Sequence, residues 1–168
     1  MIAHGYARTT DDVDVAVVAL PDQVDVVLAA ARAHGFAPRV ADAASFAKQN
    51  LVLLLEHRAT GVDLDVSFAV QDFERAAAEL AVVRELGGVR LTVTPLDALL
   101  VYKMVAGRAK DVDDVRGLLA TGAVVRQNFV DSTLREIDAL LDTSRADDFR
   151  VLLDEHARRR RPSSPRAR

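Results

Sequence analysis

Hydrophobic and polar positions alternate in two short stretches of this chain. In Asp12-Val13-Asp14-Val15 the two acids are separated by one residue, and Val62-Asp63-Leu64-Asp65-Val66 repeats that spacing. Side chains alternate between the two faces of a strand, so each stretch places two aspartates on one face and aliphatic side chains on the other. The pattern therefore predicts two β-strands that each carry a pair of acids.

The rest of the hydrophobic pattern predicts further strands and helices. A helix is predicted after Pro21 that stops at Gly35, whereas residues 36–47 are predicted to be irregular or weakly extended. Thr94 and Asp72 are predicted to cap the helices that follow them. The other predicted elements are strands at residues 50–56 and 62–69 forming one hairpin, strands at 82–86 and 89–93 forming a second with Gly87-Gly88 as its turn, and helices at 73–80, 95–106, after Gly107, 129–141 and 146–159.

This order of elements predicts a single domain of the α+β class, with a mixed sheet first, flanking helices and a C-terminal helical segment. A chain of 168 residues can bury a core, and a hydrophobic content of 50% argues against global disorder. We assign residues 1–120 to the sheet-containing part, 121–157 to helices packed on it, and 158–168 to a disordered basic tail.

The charge of the chain is unevenly distributed. Residues 158–168 contain six arginines and no acid; subtracting those six from 22 basic residues leaves 16 against 25 acids, a net charge of −9 for residues 1–157. An acidic body does not form a general nucleic-acid surface, although the basic tail could attract RNA or DNA. The alternative, which we favour, is a solubilising end.

Several classes of site are excluded by composition and spacing. There is no cysteine, and the four histidines are scattered without the spacing of metal ligands. No nucleophile elbow or dinucleotide glycine fingerprint occurs, and an aromatic content of 5% argues against a base-stacking platform. The sequence contains no signal peptide and no apolar run long enough to span a bilayer, so we expect a soluble, cytoplasmic protein without a membrane partner.

The paired acids suggest a chemistry. Adjacent carboxylates on one strand face repel each other, and a hard divalent cation would remove that repulsion. The structural alternatives are that the acids cap a turn before an edge strand, or only solubilise the domain; the latter predicts that the four strand aspartates do not converge. Neighbouring strands lie about 4.8 Å apart, so the acids of both strands would meet if the strands pair. Such a cluster is typical of metal-dependent phosphoryl transfer.

Lys103 is unusual because it lies on the apolar stripe of a predicted helix, with Leu96, Leu99 and Leu100. A lysine charge in these surroundings is costly unless it meets an anion. Its partner is either a carboxylate, Asp111 or Asp114, or the phosphates of a ligand, and the sequence leaves both open.

Several segments also follow one another in an order that is shared with a known family. They are Ala3-His4-Gly5-Tyr6-Ala7-Arg8-Thr9-Thr10, Asp12-Val13-Asp14, Val62-Asp63-Leu64-Asp65-Val66-Ser67, Lys103, and Arg108-Ala109-Lys110-Asp111 with Asp114 and Leu118-Leu119. In this order the chain resembles the small polymerase-β-type nucleotidyltransferases, among them the bacterial nucleotidyltransferase-like proteins that include the AbiEii-type toxins. The resemblance covers roughly residues 3–120.

The resemblance implies a nucleotidyltransferase (polymerase-β-like) fold over residues 1–120, in which Asp12 and Asp14 are metal-ligating, catalytic residues. The third acid is Asp65 or Asp63, and we expect Asp65. Mg²⁺ is the implied cofactor, with Mn²⁺ as the alternative, and a nucleoside triphosphate is the implied substrate. The nucleotide-binding residues that the resemblance implies are Arg8, Thr10 and Lys103.

The implied activity is transfer of a nucleoside monophosphate from the triphosphate to a hydroxyl of RNA, protein or a small molecule, by the toxin of a toxin–antitoxin system whose antitoxin would be a partner. The family's Gly-Gly or Gly-Ser element precedes the histidine-glycine segment and is not found in this sequence. We therefore expect either a start upstream of Met1 or a truncated, catalytically inactive, nucleotidyltransferase-fold interaction protein.

Overall fold

A computed structural model describes residues 1–7 and 12–160, and the chain divides into two compact units. The first, here the sheet unit, is Thr9–Leu80; the second, here the helical unit, combines Met1–Arg8 with Ala81–Arg168. The architecture is mixed α+β, as predicted. The predicted boundary at residue 120 does not coincide with this division, because the helices on both sides of it belong to the helical unit.

The sheet unit contains a four-stranded mixed sheet with the strand order β1-β4-β3-β2. Strand β1 is an edge strand and pairs with β4 in parallel, whereas β4 with β3 and β3 with β2 are antiparallel. The predicted hairpin of β3 and β4 is thereby confirmed. The elements are β1 (Asp12–Val17), α1 (Val24–Ala33), preceded by a 3-10 turn at Pro21–Gln23, β2 (Phe36–Pro38), α2 (Ala43–Asn50), β3 (Val52–His57), β4 (Asp63–Phe68) and α3 (Asp72–Glu79).

One face of this sheet is covered over β3 and β4, whereas Val13 and Val15 of β1 on that side are 48% and 39% exposed, and the other face carries the acids. Helices α1 and α2 form a core with the aliphatic face of β3 and β4, and alternation sends the remaining side chains of these strands to the opposite face. The buried core residues are Val24, Leu28, Ala43, Ala47, Leu53, Leu55, Val66 and Phe68.

Residues 36–47 correct the sequence-based prediction, because they contain β2 and the start of α2 rather than irregular chain. Strand β2 is only three residues long, and α2 is eight residues long, so neither is long enough to show a clear period. The Asp42 carboxylate accepts a hydrogen bond from the amide of Ser45 (3.3 Å) and caps α2. Leu51, with φ 57°, ends α2, so β3 begins two residues later than predicted.

Two predicted caps are also wrong. Gln71, not Asp72, is the N-cap of α3; the Glu74 carboxylate accepts from its amide at 2.9 Å. In the helical unit Pro95 takes the N-cap position of its first helix, and Thr94 does not. Both helices start within one or two residues of the predicted positions, which shows that the apolar period is a better guide than the capping residue.

The helical unit consists of a β-hairpin and four helices. The hairpin has the predicted strands, and its turn uses Gly87 and Gly88 with φ of 58° and 80°, a backbone region that glycine adopts without a steric penalty. The elements are β5 (Val82–Leu86), β6 (Val89–Val93), α4 (Leu96–Ala106), α5 (Ala109–Ala120), α6 (Gln127–Leu141) and α7 (Arg145–Arg160).

Buried or partly buried acids connect the helices of this unit. Asp97 of α4 is buried and accepts hydrogen bonds from the amide (2.9 Å) and the Nε (2.6 Å) of Arg126, which precedes α6. Asp138 of α6 accepts from the amides of Arg145 and Ala146 at the start of α7 (2.8 and 2.9 Å). Each acid therefore satisfies amides that the first turn of a later helix leaves without an intrahelical partner.

The first residues of the chain pack within the helical unit. The Nε2 of His4 donates a hydrogen bond to the carbonyl of Thr94 (2.8 Å), and the ring of Tyr6 lies so close to Gly117 of α5 that a Cβ there would overlap it. The N-terminal segment is thus fastened to residues about 90 to 110 positions later in the sequence.

The predicted basic tail is partly helical. Arg158, Arg159 and Arg160 belong to the last turn of α7, where positive charge is favourable, and residues 161–168 lie outside the described part of the chain. Over residues 1–7 and 12–160, no helix has the length and apolar character that a membrane span requires.

Candidate active site on the acid face

The parallel pairing of β1 with β4 brings the two acid pairs together. Asp12 lies opposite Asp63 in the strand register, and Asp14 lies opposite Asp65. All four point away from the core formed by α1 and α2, because the alternate residues Leu64, Val66 and Phe68 pack into or against it. The four aspartates therefore converge on one sheet face, as the metal hypothesis requires and as a merely solubilising role does not. They lie within the strands rather than in a turn before β1.

A fifth acid lies on the same face. Glu56 of β3 is opposite Asp63, so Glu56, Asp63 and Asp12 form a row across three strands. We call this surface, with Asp14 and Asp65, the acid face. Sequence reasoning missed Glu56 because it ends the continuous apolar run of residues 52–55, in which no alternation marks a face.

Among the residues that the structure describes, a cation that was not predicted, Arg39, is bonded to these acids. The Nη1 of Arg39 donates to Asp63 Oδ2 at 2.8 Å, and its Nη2 donates to Asp65 Oδ1. Arg39 follows β2 directly, and its amide donates to the carbonyl of Leu54 (3.0 Å), which extends the β2–β3 pairing by one residue and directs the guanidinium over the acid face.

The pKa of Asp65 reflects its burial and its proximity to the other charged side chains of the acid face. Its pKa is raised above the ordinary value, first by burial and then by the neighbouring carboxylates of Asp14, Asp12 and Asp63, against the lowering influence of Arg39. Among the described residues of this face, five acids and one arginine leave an excess of four negative charges when all are ionised.

The acid face supplies ligand atoms of the type that the metal implied by the family resemblance prefers, but its described side chains are not grouped to hold an ion. Carboxylate oxygens are the ligands that Mg²⁺ and Mn²⁺ prefer, and Asp12, Asp14 and Asp65 present them from two adjacent strands. The side-chain arrangement is not that of a formed metal cluster: within residues 1–7 and 12–160, no three histidine or acidic side chains are grouped to hold an ion. Asp63 and Asp65 are instead bonded to Arg39.

None of the three predicted nucleotide-binding residues is among the described residues of the sheet unit. Arg8 and Thr10 lie outside the described residues. Lys103 of α4 belongs to the helical unit, where its ammonium lies 3.0 Å from Asp111 Oδ1 and 3.0 Å from Asp114 Oδ2, both on α5. The structure thus confirms the carboxylate partners proposed for Lys103, and a contact with phosphate stays a prediction.

Hydrogen bonds set the direction in which the pKa values of Lys103 and Asp111 are shifted. Burial alone would lower the pKa of Lys103, but hydrogen bonds to Asp114 and Asp111 raise it overall. Burial alone would raise the pKa of Asp111, but hydrogen bonds from Arg108 and Lys103 lower it overall. The charged forms of Lys103 and Asp111 are therefore both favoured in the folded state.

We expect the free energy of unfolding to decrease as the pH falls below about 3.8, the ordinary pKa of an aspartate. Asp111 binds its proton less tightly in the folded state, so its contribution is present above that pKa and is lost as the pH falls through the lowered folded value. Lys103 has the opposite sign, because its contribution is present below 10.5 and is lost as the pH rises through its raised pKa.

Urea unfolding followed by circular dichroism over a series of acidic pH values checks the prediction. An Asp111→Asn variant cannot bind that proton and should lose less stability between neutral and acidic pH than the native chain. An equally steep decrease in both proteins would show that Asp111 is not responsible.

The chain matches no protein-family model, and no curated protein has a sequence that matches it significantly.

Proposed function

We propose that this chain is a Mg²⁺- or Mn²⁺-dependent nucleotidyltransferase with a polymerase-β-like fold, which transfers a nucleoside monophosphate from a triphosphate to a hydroxyl of RNA, protein or a small molecule. The observation that carries the proposal is the strand register, which sets Asp12 and Asp14 beside Asp63 and Asp65 on the sheet face opposite the core. Four ionised carboxylates in neighbouring positions cost free energy unless cations compensate them, and Arg39, which is bonded to Asp63 and Asp65, compensates one of the four charges.

The acids would have separate tasks in this reaction. Asp12, Asp14 and Asp65 would hold the metal, which supplies charge neutralisation at the triphosphate and activation of the attacking hydroxyl when it is bound. The hydroxyl oxygen forms a bond to the α-phosphorus, the bond between that phosphorus and the bridging oxygen breaks, and pyrophosphate leaves; the hydroxyl proton passes to water or to a carboxylate. Asp65 is preferred over Asp63 because it is opposite Asp14 and feels the other three carboxylates.

We expect an Asp14→Asn variant to lose at least about 100-fold in nucleotidyl transfer, because a metal ligand contributes several kcal/mol to stabilising the transition state and each 1.36 kcal/mol is a factor of ten. The assay mixes the chain with labelled nucleoside triphosphates, Mg²⁺ or Mn²⁺, and bacterial RNA or lysate, and counts label in the macromolecular fraction. Asp14 is exposed, so the variant should unfold at the same temperature or higher.

The matched control is Asp25→Asn, which removes an exposed acid from α1 on the covered side of the same unit and should leave transfer unchanged. Transfer that persists in Asp14→Asn would contradict this mechanism. Transfer that is absent from the native chain with every triphosphate and acceptor would contradict the proposed activity.

A second function is favoured by one specific observation, the pairing of Arg39 with Asp63 and Asp65. If that pairing is permanent, the acid face has no capacity for a metal, and the chain serves as a non-catalytic interaction protein, for example the partner of an antitoxin. Isothermal titration calorimetry with triphosphate and Mg²⁺ separates the two functions, because only the enzyme binds them.

A further inference from the structure

The helical unit contains a cavity of about 360 Å³ between α7 and the C-terminal end of α5. Both helices belong to the same compact unit. Leu119 of α5 and Leu152 of α7 line the cavity and are 5% and 4% exposed, so its inner wall is apolar. Small-molecule sites in proteins have volumes of about 300–1,000 Å³. The cavity is therefore large enough to hold one small organic ligand.

The titratable side chains that line this cavity are mostly basic. They belong to Arg116, His156, Arg159 and Arg160, with Glu155 as the acid among the described lining residues. The three basic residues from α7 are spaced as i, i+3 and i+4, which places them on one face of the helix. Arg158 lies in the same turn of α7 but does not line the cavity. The basic charge at the cavity is thus a property of one helix face and not of the whole helix end.

Glu155 does not neutralise this face, because it is bonded to Arg116. The Nε of Arg116 donates to Glu155 Oε2 at 3.2 Å, and its Nη1 donates to Asp113 Oδ1 at 3.0 Å. In the part of the chain that the structure describes, neither Arg159 nor Arg160 forms an ion pair with an acid. Two uncompensated positive charges therefore lie at the cavity, although residues 1–157 carry more acidic than basic residues.

This combination of groups fits a phosphate monoester. The guanidinium fork matches the oxygens of a phosphate, and a phosphate monoester carries a charge of about −1.5 to −2 at neutral pH, which two arginines balance. A carboxylate ligand would balance only one of them. Positive charge is favourable at the end of any helix, but that effect applies equally to Arg158 and does not explain the cavity. The apolar wall would contact the organic part of the ligand.

We propose that the cavity between α5 and α7 binds the phosphate monoester of an organic ligand, with Arg159 and Arg160 holding the phosphate and Leu119 and Leu152 contacting the group that bears it. Such a monoester is present in free nucleoside monophosphates and sugar phosphates and at the 5′ end of an RNA. The site requires neither a metal nor the acid face, so it is independent of the proposed function.

The test is isothermal titration calorimetry with AMP in the presence of EDTA. Arg159→Gln and Arg160→Gln are each expected to weaken AMP binding about tenfold, the usual effect of losing one charged hydrogen bond. Arg158→Gln is the matched control: it removes the same charge from the same turn and should change the affinity by less than about twofold, because salt screens an exposed charge outside the site. All three arginines are exposed, so the variants should unfold at the temperature of the native chain.

A steric variant tests the cavity without changing its charge. Ala120 is the last residue of α5, is exposed and lines the cavity, so Ala120→Tyr places a ring in the space that the ligand needs. We expect this variant to lose AMP binding while it keeps every arginine. Asp14→Asn, in the other unit, should bind AMP as the native chain does.

Three further probes identify what is recognised. Adenosine should not bind detectably, because it lacks the phosphate, whereas ribose 5-phosphate should bind. Binding of a 5′-phosphorylated RNA pentanucleotide but not of its 5′-hydroxyl form would support an RNA end as the ligand, and binding of AMP alone would support a free nucleotide.

Several results would overturn the inference. One is that the native chain binds none of the phosphorylated probes at millimolar concentration. Another is that Arg158→Gln weakens binding as much as Arg159→Gln and Arg160→Gln, which would indicate attraction to the net charge alone. Unchanged binding by Ala120→Tyr, equal binding of adenosine and AMP, or loss of binding in Asp14→Asn would each place the ligand elsewhere. None of these results bears on nucleotidyl transfer, which is measured with metal and triphosphate.

Discussion

Replacing Lys103 by methionine is expected to lower the free energy of unfolding by about 3–5 kcal/mol, the usual cost of removing one partner from a buried ion pair. Lys103 is 16% exposed and is the cation between Asp111 and Asp114, whose exposed fractions are 0% and 2%. Methionine retains much of the aliphatic length of lysine but none of its charge. Asp114 would then lose its ammonium, and Asp111 would keep only Arg108.

Urea unfolding at neutral pH, with the free energy extrapolated to water, measures the effect. Arg116→Met is the matched control, because Arg116 also bridges two acids, Asp113 and Glu155, but is 38% exposed, and its loss should cost less than about 1 kcal/mol. A combined Lys103→Met, Asp111→Asn and Asp114→Asn variant removes the stranded charges and should recover part of the loss. Equal effects of Lys103→Met and Arg116→Met would show that the α4–α5 cluster is not a buried charge pair.

Truncating Phe68 to alanine is expected to destabilise the sheet unit by about 3–5 kcal/mol, the range for removing a large buried aromatic side chain. Phe68 is 1% exposed and ends β4, the strand that carries Asp63 and Asp65, where it packs with the core of α1 and α2. Because the acid face is the other side of the same sheet, loss of this core should also raise the Mn²⁺ concentration needed for half-saturation.

Chemical unfolding of Phe68→Ala measures the loss, and Phe68→Leu should retain most of the stability because it leaves a much smaller cavity. Val26→Ala is the control for truncating an apolar residue of the same unit; Val26 is 70% exposed on α1 and its loss should cost less than about 0.5 kcal/mol. A Phe68→Ala variant as stable as Val26→Ala would mean that α1 and α2 do not bury this side of the sheet.

Much of the fold follows from the periods in the sequence. The alternation around Asp14 and Asp65 predicted β1 and β4, and the apolar spacing predicted α4 to within a residue. The same reasoning missed α2, because eight residues make two turns and its buried side chains are alanines, which carry little hydrophobic signal. Division into two units was also missed, since no run of proline, glycine or polar residues marks residue 80 as a boundary.

The acids of the candidate site could be predicted from the sequence, but the pairing that brings them together could not. Acids at alternate positions identify their own face, and only the pairing of β1 with β4, which the sequence does not encode locally, joins the two pairs. Arg39 is a single residue after a three-residue strand, with nothing in its neighbourhood to mark it; its importance comes from β2 being placed beside β3. The role of Arg39 depends on contacts with residues that are distant in the sequence. The sequence itself shows only a basic residue directly after a short strand.

The packing of His4 and Tyr6 within the helical unit has a consequence for how the chain folds during synthesis. Tyr6 leaves the ribosome 111 residues before Gly117, the residue it packs against, a delay of about 6–20 s at typical elongation rates. Thr9–Leu80 has been synthesised by then and can form its own core before the N-terminal segment meets its partner. The helical unit is therefore the last part of the chain that can complete its packing. Slower translation between codons 81 and 117 would lengthen the time for which the N-terminal segment is exposed to proteases and chaperones.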